Sequence, residues 1–238
     1  MHLEALRKSL VRCAIAVAAA TAASLIFTNQ IFELLIRPVG QIDLVYLEVT
    51  EMMTTYFKVA ITAGLIVSMP YVIWELVLFV APALTPKEKK YVYIVLPWVA
   101  LMFLGGVVFG YFFLLPPGLH FLLTFGNDIA TPQIRVGNYV SVVSRLLLAI
   151  GLVFEMPVVS TFLARIGVVR SQWLAKKRKW AIVGAVIASA IITPTPDPIN
   201  QILVAVPLII LYEAGIWLAL LVQPKKAKSA ETAKAAGV

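Results

Sequence analysis

The chain has 238 residues, of which 61% are hydrophobic and 13% charged, and its formal net charge is +8. A soluble domain is usually about half apolar and about a quarter charged, so this composition excludes a soluble fold, a disordered chain and a disulfide-built secreted module. The single cysteine, Cys13, has no partner for a bridge within the chain. What remains is an all-α polytopic membrane protein.

Continuous apolar runs, without the alternation of a strand-built barrel, predict transmembrane helices. We expect one six-helix transmembrane domain over residues 1–222 and a mobile basic tail over 223–238. The predicted spans, in chain order, are about 13–27, 59–80, 92–115, 139–164, 180–193 and 199–222. Prolines such as Pro82, Pro116 and Pro117 are expected to mark helix ends, because proline lacks an amide donor.

The first apolar run has a second interpretation. Arg7, Lys8 and Arg12 precede an alanine-rich apolar stretch, which is also typical of a cleavable signal peptide. We favour an uncleaved helix, because its removal would leave an odd number of spans. After it, the long loop 29–58 contains acidic residues and apolar patches, which fit a short amphipathic helix that caps the bundle.

The last two spans are predicted to be short. The fifth run, 180–193, would reach only about 21 Å at 1.5 Å per residue, against roughly 30 Å of hydrocarbon. The sixth run is interrupted by Glu213, and its apolar part before that residue is equally short. Two short helices joined by a proline-rich turn would thin the bilayer locally and lower the cost of moving polar material across it.

Basic residues fix the expected orientation, because cytoplasmic loops of membrane proteins are rich in lysine and arginine. Most of the 20 Lys and Arg residues lie before the first span, between the second and third, between the fourth and fifth, or after the sixth. Both termini are therefore predicted to be cytoplasmic. The same loops carry no nucleic-acid-binding motif, so we expect no nucleic-acid partner.

Acidic residues inside apolar runs are the candidates for chemistry. Glu155 lies near the middle of the fourth span and Glu213 in the sixth, where a carboxylate is costly unless it is protonated, paired or hydrated. Each is either functional or a hydrogen-bonded acid that fixes helix packing. Glu75 is expected to reach water, and Asp197 is expected to cap a helix. No metal cluster, phosphate loop or serine nucleophile motif is present in the sequence, so we expect neither a cofactor nor an enzyme.

Glu88 is the other candidate, as a lone acid among Lys87, Lys89 and Lys90 in the loop after the second span. It is either a solvated acid in the first turn of a helix, with Pro86 at that helix start, or a carboxylate that receives an arginine from a partner. A guanidinium bonds a carboxylate through two parallel hydrogen bonds, which a lysine cannot reproduce.

Five motifs in order make the chain resemble the TatC family, the multispanning core subunit of the twin-arginine protein translocase. They are His2-Leu-Glu-Ala-Leu-Arg7-Lys-Ser-Leu10, Phe79-Val-Ala-Pro-Ala-Leu84 followed by Glu88, Phe154-Glu155-Met-Pro157, Thr193-Pro194 with Asp197 and Gln201, and Leu211-Tyr-Glu213. The chain departs from the family pattern in a few places. Ala5 stands where the family has Glu, with Glu4 one place earlier, and Glu75 stands where Gln is frequent.

The resemblance implies a receptor for signal peptides with two consecutive arginines, which helps to export folded proteins across the cytoplasmic membrane by the proton motive force. Its implied partners are TatA- and TatB-type single-span proteins, twin-arginine precursors, the lipid bilayer and further copies in a larger complex. The implied signal-peptide residues are Glu88, Arg7, Phe79, Pro82, Leu84 and Glu4. Glu155 and Glu213 would be the functional intramembrane acids. The implied partner-subunit contacts are Thr193, Pro194, Asp197 and Gln201.

Two other classes compete with this interpretation. A small proton-coupled secondary transporter could use Glu155 and Glu213, although such proteins often show interrupted helices in corresponding places of two halves. Here both short helices are predicted in the second half. A membrane enzyme is disfavoured, because the sequence has no recognisable nucleophile or metal site.

Overall fold

The computed structural model describes residues 2–40, 44–80, 86–125, 133–193 and 197–223, and within them the side chains at all positions but 2, 3, 5, 80 and 86–94. The described chain is almost entirely helical, as predicted. The helices are α1 (His2–Ile26), α2 (Thr28–Ile36), α3 (Glu51–Val80), α4 (Pro86–Phe109), α5 (Leu115–Thr124), α6 (Val136–Phe154), α7 (Met156–Arg165), α8 (Ser171–Lys176), α9 (Arg178–Ile192) and α10 (Pro198–Val222). A 3₁₀ turn (Arg37–Val39), a π-helical segment (Gly110–Leu114) and two short strands, β1 (Leu44–Val45) and β2 (Ile134–Arg135), complete the described elements.

Within the described residues, five helical stretches are long and apolar enough to cross a membrane. They are Leu6–Ile26, Glu51–Phe79, Val95–Thr124, Val136–Arg165 and Pro198–Val222. The predicted fifth span corresponds to α9, which has 15 residues and would reach about 22 Å. The predicted short helix in the first long loop is present as α2.

The last helix is not short, which corrects the prediction. α10 runs without a break for 25 residues, or about 37 Å. Glu213 does not interrupt it, since glutamate is a good helix former, and Arg178 at the start of α9 pairs with its carboxylate at 2.7 Å. Pro207 also lies inside α10. Membrane helices tolerate such a proline when neighbouring groups satisfy the freed carbonyl.

The third span also differs from its predicted bounds. The helix continues through Pro116 and Pro117 to Thr124 instead of ending near Leu115. The π-helical segment comes directly before these prolines, so they fall in the first turn of α5. A first-turn position requires no intrahelical amide donor, which is why proline is tolerated there. The segment that follows the predicted third span is therefore helical in its first part.

The core lies around α6, whose inward face is fully buried at Val140, Val143 and Ile150. Close backbone approach brings α4 onto this helix. A Cβ at Gly106 would lie only 2.8 Å from the Phe154 Cβ and 2.9 Å from the Gly151 Cα, so the crossing depends on glycine. Interiors packed at this density leave no space for added atoms.

Two tyrosines attach α2 to the bundle. The Tyr111 hydroxyl donates to the Leu34 carbonyl at 2.6 Å, and the Tyr139 hydroxyl donates to the Leu35 carbonyl at 2.6 Å. Leu34 would ordinarily accept from the amide four residues later, but that residue is Pro38, which has none. Tyr111 therefore supplies the missing donor, and the end of α2 is fixed against the π-helical segment and α6.

The segments before α3 and before α6 are joined by a set of contacts that we call the loop latch, formed by Glu51, Arg135, Gly137 and Leu47. The buried Glu51 carboxylate accepts from the amides of Leu47 at 2.9 Å and Gly137 at 3.1 Å, and from Arg135 Nη2 at 3.0 Å. The hydrogen bond with Glu51 raises the pKa of Arg135. β1 and β2 pair in parallel beside these contacts.

Candidate functional site

The meeting of α1 and α3 brings an acid and an arginine together. Glu75 is buried, and its Oε1 lies 3.3 Å from Arg12 Nη1. The Tyr71 hydroxyl donates to the same oxygen at 3.1 Å, while Oε2 has no hydrogen-bond partner among the described residues. The expectation that Glu75 simply reaches water is wrong, because the antiparallel packing of α1 on α3 encloses it.

We call the contact between α1 and α3 around Arg12, Tyr71 and Glu75 the seam. The predicted signal-peptide residues lie on α1, α3 and α4 or outside the described residues. Glu4 and Arg7 are exposed in the first two turns of α1, and Phe79 is half-buried in the last turn of α3. Pro82 and Leu84 lie outside the described residues. Glu88 belongs to the first turn of α4, where the structure describes the helix and not the side chain.

Glu155 lies at the break between α6 and α7, inside the fourth long span. It is 4% exposed, and neither carboxylate oxygen has a hydrogen-bond partner in the described part of the chain. The side chain borders a cavity of about 350 Å³ whose wall includes Leu152, Trp173, Tyr212 and Gly215. Within the described residues, the packing interpretation of Glu155 therefore has no hydrogen bond of good geometry to support it.

Glu213 has a different environment from Glu155. Arg178 bonds it with both arms of its guanidinium, Nε at 2.7 Å from Oε1 and Nη2 at 2.9 Å from Oε2. Both side chains remain partly exposed. This two-bond geometry is the strongest form of an arginine–carboxylate pair, and it ties the start of α9 to the middle of α10. The two acids that the sequence analysis treated together thus lie in different environments.

The predicted partner-contact residues lie around the start of α10. Asp197 caps that helix, since its carboxylate accepts from the Asn200 amide at 2.7 Å. Gln201 Nε2 donates to the Val186 carbonyl of α9 at 3.2 Å. Thr193 is buried and bonds the Ser189 carbonyl. Pro194 lies outside the described residues.

A second, larger cavity lies between α1, α2, α3 and α4 and is apart from these acids. Its volume is about 580 Å³, and its wall is almost wholly carbon, including Ala23, Phe27, Ile66, Val108 and Phe112. The cavity offers no charged group for recognition.

Sequence reasoning missed three pairings: Arg12 with Glu75, Arg178 with Glu213, and Arg135 with Glu51. Each joins residues on different helices or loops. Apolar runs reveal where a helix lies along the chain and not how it is rotated against its neighbours. One signal in the sequence could have indicated such a pair: an acid and a base that lie at similar depths in the membrane on two adjacent spans.

These features define a polytopic helical membrane protein with acidic sites inside an apolar bundle. The family model of TatC, the Sec-independent protein translocase protein, matches residues 1–207. The Sec-independent protein translocase protein TatC of Carboxydothermus hydrogenoformans is 38% identical over 94% of this chain and 93% of its own length. That of Aquifex aeolicus is 36% identical over 94% of this chain and 95% of its own.

A solved structure agrees with these relatives. The crystal structure of the twin arginine translocase receptor TatC superimposes with a TM-score of 0.84 at 36% identity, covering 93% of this chain and 99% of that one. The chain belongs to the TatC family, and it is a membrane-spanning subunit of a Sec-independent protein translocase. The resemblance inferred from the five motifs is confirmed.

Proposed function

We propose that this chain is the receptor for twin-arginine signal peptides and the scaffold on which single-span TatA- and TatB-type subunits assemble. Folded precursors would be exported through the complex by the proton motive force, with further copies of the chain in the same assembly. The observation that carries the proposal is the match, over 93% of the chain, to a structure described as the twin arginine translocase receptor. The chain itself would perform no catalysis.

The proposed topology has six spans in the cytoplasmic membrane and both termini in the cytoplasm. In this proposal α9 adds the fifth span in chain order to the five long helical stretches, since its apolar residues Ile182, Val183, Ile187 and Ile191 are exposed along the helix and suit lipid or partner helices. Its length of about 22 Å requires local thinning of the bilayer or a sunken position. The concentration of lysine and arginine in the loops that would then face inward supports the same orientation.

The proposed signal-peptide site combines the exposed start of α1, the end of α3 and the start of α4. Glu4 and Arg7 are exposed there, and Phe79 borders the segment that leads to Glu88. Pro82 and Leu84, in that segment, would shape the surface. Glu88 would receive one guanidinium of the twin-arginine motif, because a carboxylate and a guanidinium match in both charge and geometry.

The proposed scaffold surface lies at the other end of the bundle, around the turn between α9 and α10. Gln201 already bridges the two helices through Val186, and Asp197 fixes the start of α10. Thr193 and Pro194 belong to the same turn. A polar side chain of a single-span partner could replace the Val186 carbonyl as the acceptor of the Gln201 hydrogen bond, because this bond is partly exposed.

Glu155 is proposed to face the partner side of the membrane interior, where its unpaired carboxylate would accept a donor from outside the chain. The alternative function, a proton-coupled transporter, would use Glu155 together with Glu213. The two-bond ion pair of Glu213 with Arg178 counts against that use, because the carboxylate is already compensated. Transport by these two acids is therefore the less supported function.

Replacing Glu88 by glutamine is expected to reduce the affinity for a twin-arginine signal peptide by about tenfold or more, since a charge-assisted hydrogen-bonded pair is lost. Binding is measured with a labelled peptide on the full chain in lipid nanodiscs. A photocrosslinker at position 88 should label the twin-arginine peptide and not its twin-lysine version.

The matched control is Glu48→Gln, which removes one negative charge from an exposed acid beside the loop latch. This variant should bind the peptide as the parent does. An equal loss of affinity in both variants would show that the change in net charge alone causes the effect. Binding that is indifferent to arginine would contradict the receptor function.

Cysteine placed at position 201 is expected to crosslink to a single-span partner subunit when the complex is assembled in membranes. The reason is that Gln201 sits at the junction of α9 and α10, the proposed partner surface. A cysteine at exposed Leu25, on α1, serves as the comparison. Crosslinks that form only from position 25 would move the partner surface to α1 and contradict the proposed scaffold site.

A further inference from the structure

The seam between α1 and α3 contains a carboxylate whose hydrogen-bonding capacity is only half used. Oε1 of Glu75 accepts a hydrogen bond from the Tyr71 hydroxyl at 3.1 Å and lies 3.3 Å from Arg12 Nη1 in an ion pair. Oε2 is enclosed and has no partner among the described residues. Buried carboxylate oxygens are normally paired, because an unpaired one carries a desolvation cost. The free oxygen therefore leaves room for one further donor besides Tyr71 and Arg12.

Arg12 is a loosely held partner for this acid. Its contact with Glu75 uses one nitrogen instead of the two parallel bonds that a guanidinium can make. Its side chain is 55% exposed, whereas that of Glu75 is 4% exposed, and its Nε also reaches the Lys8 carbonyl at 3.4 Å. Arg12 can thus move into solvent or toward lipid headgroups once another cation compensates Glu75, which stays enclosed.

The pair lies beside the proposed signal-peptide site. Glu75 is one helical turn from Phe79 on α3, and Arg12 follows Arg7 by about 7.5 Å along α1. The two helices that carry the pair are therefore the two that present Arg7 and Phe79. A guanidinium delivered to that surface would arrive close to a buried carboxylate that is already occupied by an arginine of the chain.

We propose that Arg12 occupies, in the free protein, the position that an arginine of the signal peptide takes in the complex. On binding, the incoming guanidinium displaces Arg12 and pairs with both oxygens of Glu75, so one arginine is exchanged for another and no net charge is buried. Lysine cannot make this two-bond pair, which adds to the preference for arginine. The inference rests on the proposed receptor function and assigns a second arginine acceptor to the same site.

The exchange predicts opposite effects for the two members of the pair. Arg12→Gln removes the internal competitor and should tighten binding of a labelled twin-arginine peptide several-fold, measured on the full chain in nanodiscs. Glu75→Gln removes the acceptor and should weaken binding about tenfold. A pair that only holds α1 against α3 would instead make both variants bind more weakly.

Two further variants separate the exchange from simpler effects. Lys8→Gln removes the same charge from an exposed side chain one turn away, so it measures how much a cationic peptide gains from reduced repulsion. Its effect should be smaller than that of Arg12→Gln. Arg12→Lys keeps the buried acid compensated, which protects the fold, and should still tighten binding because lysine competes less well.

The outcomes distinguish this inference from the function on which it rests. Arginine-dependent binding that Arg12→Gln and Arg12→Lys leave unchanged or weaken would overturn the exchange alone. Equal tightening by Lys8→Gln and Arg12→Gln would also overturn it, since charge would then explain the result. Binding of wild-type protein that does not distinguish twin-arginine from twin-lysine peptides would overturn the receptor function and the exchange together.

Discussion

Replacing Glu51 by glutamine is expected to lower the midpoint of thermal unfolding by roughly 5–10 °C. Both oxygens of this buried carboxylate accept hydrogen bonds, Oε1 from the Gly137 amide and Oε2 from the Leu47 amide and Arg135. A glutamine has only one carbonyl oxygen, so its amide nitrogen would face another donor. The loop latch would therefore lose at least one bond and gain a repulsive donor–donor contact. Unfolding of the purified protein in detergent measures the change.

Glu48→Gln is the matched control for that experiment. Glu48 also contacts Arg135, but at 3.5 Å and with a side chain that is 69% exposed. Such surface pairs contribute little to stability. The midpoint should hardly move. A similar fall for both variants would show that the charge near Arg135 matters and that the buried hydrogen bonds of Glu51 do not.

The second large effect is expected at the crossing of α4 and α6. Gly106→Ala would place a methyl group 2.8 Å from the Phe154 Cβ and 2.9 Å from the Gly151 Cα, distances that real Cβ atoms do not adopt. The helices must separate, which costs about 1–3 kcal/mol by overpacking. The free energy of unfolding, measured by denaturant titration in mixed micelles, should fall accordingly.

The adjacent residue provides the control, because a Cβ at Gly105 would have nothing within 4 Å. Gly105→Ala should leave stability unchanged or raise it by about 0.5–1 kcal/mol, since alanine is the better helix former. Of the two neighbouring substitutions, only Gly106→Ala is thus predicted to destabilise the protein. Equal destabilisation by both would attribute the effect to helix flexibility and contradict the close-packing explanation.

The sequence was sufficient for the positions of most helices and for the family. Long apolar runs such as those that became α1 and α10 reveal helices, because the bilayer requires both length and continuous apolarity. Ordered motifs around Glu155 and Asp197 indicated the family. Helix ends were less predictable. Pro116 does not end a helix here, because the preceding π-helical segment puts it in a first turn.

The pairings within the candidate site could not be predicted, for a physical reason. Whether Glu75 meets Arg12 depends on how α1 is rotated and shifted against α3, and this is decided by close contacts such as those around Gly64. Likewise, Glu213 interrupts an apolar run in the sequence, and the sequence does not show that Arg178 of α9 lies beside it. Single residue types do not encode such relations between distant helices.

The loop latch also has a consequence for biosynthesis. Glu51 and Arg135 are separated by 84 positions, so a ribosome that adds about 5–20 residues per second finishes Arg135 roughly 4–17 s after Glu51. During that interval the Glu51 carboxylate must remain hydrated beside an incompletely assembled helix bundle. Burial of Glu51 therefore indicates that α6 has been synthesised and has packed in place. A protease that cuts near Glu51 would distinguish nascent chains from completed ones.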